Sequence, residues 1–229
     1  MQRFFTIVEL LAVILVIFIL ITLTFSAIKG LRQKANEVLC ARRMQKLGHG
    51  FSLYAIDNEN FLPHEDNGST KPPHGSVWYN SLLPYLGENE KVKRYRQDEG
   101  YEYLSNEMVA TVFSYKMNSR LEDYKGTKAF TSAPFRDLST VPSPGQTVLL
   151  FDGRTDRRPY MYQSFGTFTS IDDRHDGKTM ILFLDWSVKY HKNEMNEKKG
   201  GWINPGYLIW DPDVSIEANN THKKPKIKK

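Results

Sequence analysis

Asp172, Asp173, His175, Asp176 and Asp185 form the densest group of side chains able to ligate a cation or move a proton. Carboxylates of this kind, together with backbone carbonyls, suit a hard cation such as Ca²⁺. Their spacing matches no calcium loop, and aspartates in a turn commonly cap backbone amides instead. A solvated turn is therefore expected, with no metal or cofactor; calcium is the alternative. Hydrolytic chemistry needs a nucleophile beside a base, or paired carboxylates in a cleft. The histidines (His49, His64, His74, His175, His191, His222) are scattered, and no Gly-x-Ser-x-Gly, His-Glu-x-x-His or glycine-rich phosphate loop occurs. No catalytic residue is expected.

Glu9 is a carboxylate of another kind. It heads the uncharged stretch Leu10–Ile28, 19 residues that as a helix would span about 28 Å, close to the hydrocarbon thickness of a bilayer. An acid at the edge of such a helix is costly unless something pairs with it or headgroups reach it. A cleaved secretory signal fits poorly, because the apolar stretch is too long and Thr24-Phe25-Ser26 is a weak cleavage match.

These residues must be positioned by few elements. Beyond the apolar stretch, Cys40, Met44, Leu47, Phe51 and Tyr54 repeat at intervals of four and three, one face of a helix. The expected helix runs from Phe5 to about Ile56, with bends possible at Gly30, Gly48 and Gly50, and ends before Pro63. Ser76–Leu86 reads as a short helix or turn with Trp78, Leu82, Leu83 and Leu86 inward, and Lys91–Tyr103 as a surface loop. Strand-like runs follow at Met108–Met117, Thr147–Phe151, Tyr160–Thr169, Thr179–Leu184, Val188–His191 and Trp202–Trp210. An antiparallel sheet against the long helix, an α+β fold, is the economical assembly.

Composition excludes some partners. The net charge of +5 comes from the tail: without the five lysines between His222 and Lys229, 26 basic residues balance 26 acidic ones. That is not the basic face of a nucleic-acid-binding domain, and no nucleic acid partner is expected. Cys40 has no second cysteine to pair with and is expected to be a small buried hydrophobe. Trp186, Trp202, Tyr207 and Trp210 are expected in the core, the alternative being a glycan- or partner-binding platform.

The run Phe5-Thr6-Ile7-Val8-Glu9-Leu10-Leu11 resembles the processing and methylation motif of type IV prepilins and type II secretion pseudopilins. The resemblance implies cleavage by a prepilin peptidase between Phe4 and Phe5, N-methylation of Phe5, and assembly in which Glu9 neutralises the amine of an adjoining subunit. Attraction between the two is strong at low dielectric, and each relieves the other's desolvation. The family normally carries Gly where this chain has Phe4. Further on, Cys40, Met44-Gln45-Lys46-Leu47-Gly48, Tyr54, Asp57-Asn58 and Pro63 resemble a branch of planctomycete and verrucomicrobial type. So do Tyr115-Lys116-Met117-Asn118, Pro144–Asp152, and His175 followed by Asp185. That last signature normally continues Gly-His-Val; here it is Trp186-Ser187-Val188, so the turn is expected to differ.

The resemblance implies a pilin-like fold divided into a leader at 1–4, a transmembrane or filament-core helix at 5–29, an amphipathic continuation at 30–62, a globular head at 63–215 and a basic tail at 216–229. It further implies a non-enzymatic pseudopilin or minor pilin of a type II secretion or type IV pilus-like system. Partners would be other pilin subunits, the peptidase, an inner-membrane assembly platform and membrane lipid. Lysine and arginine are denser after the apolar run (Lys29, Arg32, Lys34, Arg42, Arg43, Lys46) than before it, which by charge counting points the head to the cytoplasm. Long domains translocate largely regardless of flanking charge, so the expected place is the bacterial inner membrane with the head periplasmic or extracellular. The rival class is a membrane-anchored extracytoplasmic binding protein that does not polymerise.

Overall fold

A computed structural model describes residues 6–64, 78–86, 114–121, 136–155, 164–192, 195–196, 201–202 and 206–213. The leader, Phe4, Phe5, the loop at 91–103, most of the run at 108–117 and the tail at 216–229 lie outside the described residues.

One helix, α1, runs from Ile7 to Asp57. The apolar and 4-3 patterns thus read out as one element, and the glycines at 30, 48 and 50 are carried within it. Its end has local causes. Asn60 N–H reaches back to Ala55 O (2.8 Å), and Asn58 Nδ2 donates to Tyr54 O (2.8 Å). Glu59 and Asn60 adopt positive φ (52° and 67°), the left-handed turn that closes a helix before Pro63.

The chain forms two compact units, Met1–Leu39 and Cys40–Lys229. In the first, Ile7–Thr24 has a mean hydropathy of 3.0 and no burial, long and apolar enough to cross a membrane; a signal sequence has the same character. In the second, α1 supplies Cys40, Met44, Leu47 and Phe51 to the core, all almost fully buried. Two short helical turns, α2 (Trp78–Ser81) and α3 (Leu83–Leu86), add Trp78, Leu82 and Leu86. The Phe51 and Trp78 rings stack at 5.9 Å, and Trp78 Nε1 donates to Ser164 O (3.0 Å).

A five-stranded sheet is built from β1 (Tyr115–Asn118), β2 (Val148–Asp152), β3 (Phe165–Gly166), β4 (Lys178–Phe183) and β5 (Val188–Lys192) in the order β3-β1-β2-β4-β5. The expected all-antiparallel sheet is corrected to a mixed one, because β3 lies parallel to β1. The chain between Asp152 and Phe165 is long enough to cross to the far side of β1 rather than turn back as a tight hairpin. Trp202–Trp210 is also not one strand. β7 (Gly201–Trp202) pairs with β6 (Met195–Asn196), whereas Gly206 at φ 80° takes the chain out of strand geometry and, among the described residues that follow it, Ile209 bridges the sheet at Thr147. Similarly, among the described residues of the run at 160–169 only Phe165–Gly166 is strand, and Phe168–Ser170 is a 3-10 turn.

Both sheet faces are covered. Tyr115, Met117, Leu150, Met180 and Leu182 belong to the cluster containing α1, while Phe151, Ile181 and Phe183 pack with Phe168, Ile171, Leu208 and Trp210. A register shift in β2 between Val148 and Leu150 explains why two successive leucines, Leu149 and Leu150, share the α1 cluster while Val148 and Phe151 belong to the other. Gly48 admits the sheet to the helix: a Cβ there would stand 2.8 Å from Leu182 Cδ1.

Candidate functional site

At the head of α1, Thr6 and Glu9 close on one another. Thr6 N–H and Thr6 Oγ1 both donate to Glu9 Oε2 (2.9 Å each), and Glu9 N–H donates to Thr6 Oγ1 (3.3 Å). This is a capping box, in which the first orphan amides of a helix are satisfied reciprocally. The signal was legible in Thr6-Ile7-Val8-Glu9, a Thr-x-x-Glu preceding an apolar run. Glu9 therefore has a partner within its own chain, and among the described residues its Oε1 accepts nothing. The apolar side chains that follow, from Ile7 to Leu23, are 49–79% exposed. Glu9 and Lys29 stand 20 residues apart, about 30 Å of helix, so an acid and a cation bracket a length equal to the hydrocarbon layer.

The second polar centre lies in the head. His175 Nε2 is 3.1 Å from Asp152 Oδ2, which also accepts the Met180 N–H (2.9 Å). The side chains are 5% and 0% exposed, and Asp152 Oδ1 accepts no hydrogen bond among the described residues. The His175 and Tyr190 rings stand edge to face, their centroids 5.8 Å apart. Asp152 was outside the candidate set; the only signal for it was an acid closing the apolar strand Val148–Asp152.

The five candidate residues do not form one centre. Asp172 pairs with Arg174 Nη2 (3.1 Å), and that same nitrogen donates to Gly153 O. Burial pushes the Asp172 carboxyl up and Arg174 opposes it. Asp173 and Asp176 are exposed, Asp176 in a left-handed turn at φ 55°. Asp185 Oδ1 accepts Ser187 N–H (2.9 Å) and Oγ (2.6 Å), so it caps the β4–β5 hairpin, and His175 is paired with Asp152 instead. Among the described residues no group of three or more His, Cys, Asp or Glu is arranged to hold a metal ion.

Close by, Lys116 is fully buried on β1, its aliphatic stem over Gly153, where a Cβ would collide with it. Burial pushes its amine down to about 7, with the Arg174 charge adding to the effect and Asp172 opposing it. At the C-terminal end, Arg136 grips Asp213 through both terminal nitrogens (3.1 and 2.7 Å) and Leu121 O through Nε (2.7 Å). Asn118 Nδ2 donates to Val148 O (2.8 Å) and Trp210 O (2.7 Å). These bonds fasten residues 208–213 across the sheet. Trp210 is core, Tyr207 is half-exposed with its hydroxyl 2.9 Å from His191 Nδ1, and Trp186 is partly buried against the α1 cluster; the Trp202 side chain lies outside the described residues.

The turn at Trp186 keeps the hairpin without glycine. Trp186 N–H donates to Phe183 O (3.0 Å) and Phe183 N–H to Ser187 O (2.9 Å), while Trp186 takes φ 67°. A three-residue hairpin asks for glycine at that left-handed position. The tryptophan holds it under strain, compensated by its packing.

Comparisons with protein-family models, with curated proteins and with solved structures find no match for this chain.

Proposed function

We propose that this chain is a non-enzymatic pilin-like subunit, a pseudopilin or minor pilin of a type II secretion or type IV pilus-like assembly in a bacterial inner membrane. The observation that carries the reading is Glu9: a carboxylate at the start of an exposed apolar helix, bonded through Oε2 to Thr6 and open at Oε1. After cleavage between Phe4 and Phe5, the methylated amine of Phe5 in an adjoining subunit meets Glu9 in a low-dielectric setting. The pair selects the axial register; helix-on-helix packing of the apolar segment supplies most of the stabilisation. The Thr6 bonds hold the carboxylate in place beforehand. Subunits enter sideways from the membrane, and the α+β head decorates the outside.

The test is Glu9→Gln beside Thr6→Val. Glu9→Gln abolishes assembly into fibres while the chain stays in the membrane fraction, and Thr6→Val, which keeps the charge, weakens assembly less. Fibres that form normally with Glu9→Gln overturn the reading. Mass spectrometry of the mature N-terminus separates the rival, which rests on Phe4 standing where the family has Gly: N-methylated Phe5 supports the subunit, whereas intact Met1 supports a membrane-tethered binding protein.

A further inference from the structure

Beyond its apolar segment, α1 carries a run of charge that neither the capping box nor the core uses. Lys29, Arg32 and Lys34 follow Ile28 with no acid until Glu37. The helix is continuous here, so the three backbone positions stand about 1.5, 6 and 9 Å beyond Ile28, and Glu37 about 13 Å. The polar headgroup layer is roughly 5–7 Å deep on each side of the hydrocarbon. With Glu9 at the opposite edge fixing the depth, Lys29 and Arg32 fall at headgroup level, and exposed Lys34 is within a side chain's length of it. Leu31, between them, is 66% exposed in the same unit, an apolar side chain suited to the boundary between acyl chains and headgroups.

We propose that the segment Lys29–Lys34 is a docking site for the phosphates of anionic phospholipid, holding α1 at a fixed depth in its membrane. Charge complementarity names the occupant: the sequence places three cations without an acid at helix positions that fall at or beside the depth of a layer of phosphates. Anionic lipid gathers around juxtamembrane lysine and arginine, each cation being worth roughly five-fold in local concentration, and the attraction falls with ionic strength. The site rests on the membrane-spanning part of the proposed function and is independent of processing and filament assembly.

The test uses the purified full chain in vesicles of phosphatidylcholine with one-fifth phosphatidylglycerol, the lipid retained by the protein being counted by native mass spectrometry. Phosphatidylglycerol is expected to be enriched, less so at high salt, and the enrichment to be lost, retention returning to the bulk one-fifth, in Lys29→Gln/Arg32→Gln/Lys34→Gln. Lys189→Gln/Lys192→Gln, which removes two exposed cations of the head, leaves it unchanged. Equal retention of both lipids, enrichment that survives the triple substitution, or displacement by millimolar inorganic phosphate overturns the site and leaves the subunit reading standing. Failure of the chain to float with vesicles overturns the site and the membrane reading together; failure of Glu9→Gln to affect fibres touches neither.

Discussion

Asp152 and His175, separated by most of the β2–β4 connection, meet at 3.1 Å where Asp152 also accepts the Met180 N–H of β4. One carboxylate thus ties two strands and the turn before β4. Removing one partner of a buried polar contact leaves the other without its partner, at a cost of about 1–3 kcal/mol. His175→Ala should destabilise the head by about that amount in urea unfolding. The double variant Asp152→Ala/His175→Ala should cost clearly less than the two single changes added together. Additive costs would mean that the pair is not coupled.

Trp186 gives an inverted ranking of substitutions. At an ordinary strand or turn position alanine is the better replacement, but at φ 67° alanine keeps the backbone strain and loses the ring. Trp186→Gly should therefore be more stable than Trp186→Ala by about 1 kcal/mol, measured by thermal unfolding of the head. Alanine equal to or better than glycine would show that the left-handed turn is not adopted.

Gly153 is the place where the buried stem of Lys116 crosses the backbone. A methyl group there overfills a packed interior, and Gly153→Ala should cost about 1–3 kcal/mol. Pairing it with Lys116→Ala, which empties the space, should recover part of that loss. No recovery would place the strain elsewhere.

The pH dependence follows from groups whose charged forms the fold disfavours. Lys116 sits at about 7 in the folded head, against 10.5 for an ordinary lysine. Between those values the unfolded chain binds the extra proton, so stability rises as pH increases from about 7 towards 10.5, and the penalty is complete below that window. His191 is held below its ordinary 6.5 by burial, then by the Lys189 charge, so a further loss sets in as pH falls below 6.5. Urea midpoints of the head between pH 7 and 10 should climb, and Lys116→Met should flatten that climb. A flat wild-type profile would refute the assignment to Lys116.

Much of the scaffold was legible because it is periodic. The uncharged run after Glu9 and the 4-3 spacing of Cys40, Met44, Leu47 and Phe51 defined α1 and its buried face, and the apolar runs at 147–151, 179–184 and 188–191 became β2, β4 and β5. Relations between distant segments were not legible. The parallel placement of β3 depends on where a long connection crosses, which no local pattern encodes. His175 stands ten residues before Asp185 in the chain yet pairs with Asp152, because strand pairing, not sequence proximity, decides which side chains share a face. The hairpin at Trp186 lacks its glycine signal, and only packing against the α1 cluster explains why the turn survives. The Thr6–Glu9 cap was written in the sequence as a four-residue motif and was overshadowed by the charge of Glu9 alone.

Cys40, Met44, Leu47 and Phe51 belong to the head's interior although they sit on the helix that begins at Ile7. Any water-soluble version of the head must therefore begin ahead of Cys40. One that starts after Asp57, where the helix stops, would leave Met117, Leu150, Met180 and Leu182 facing solvent and should aggregate instead of folding.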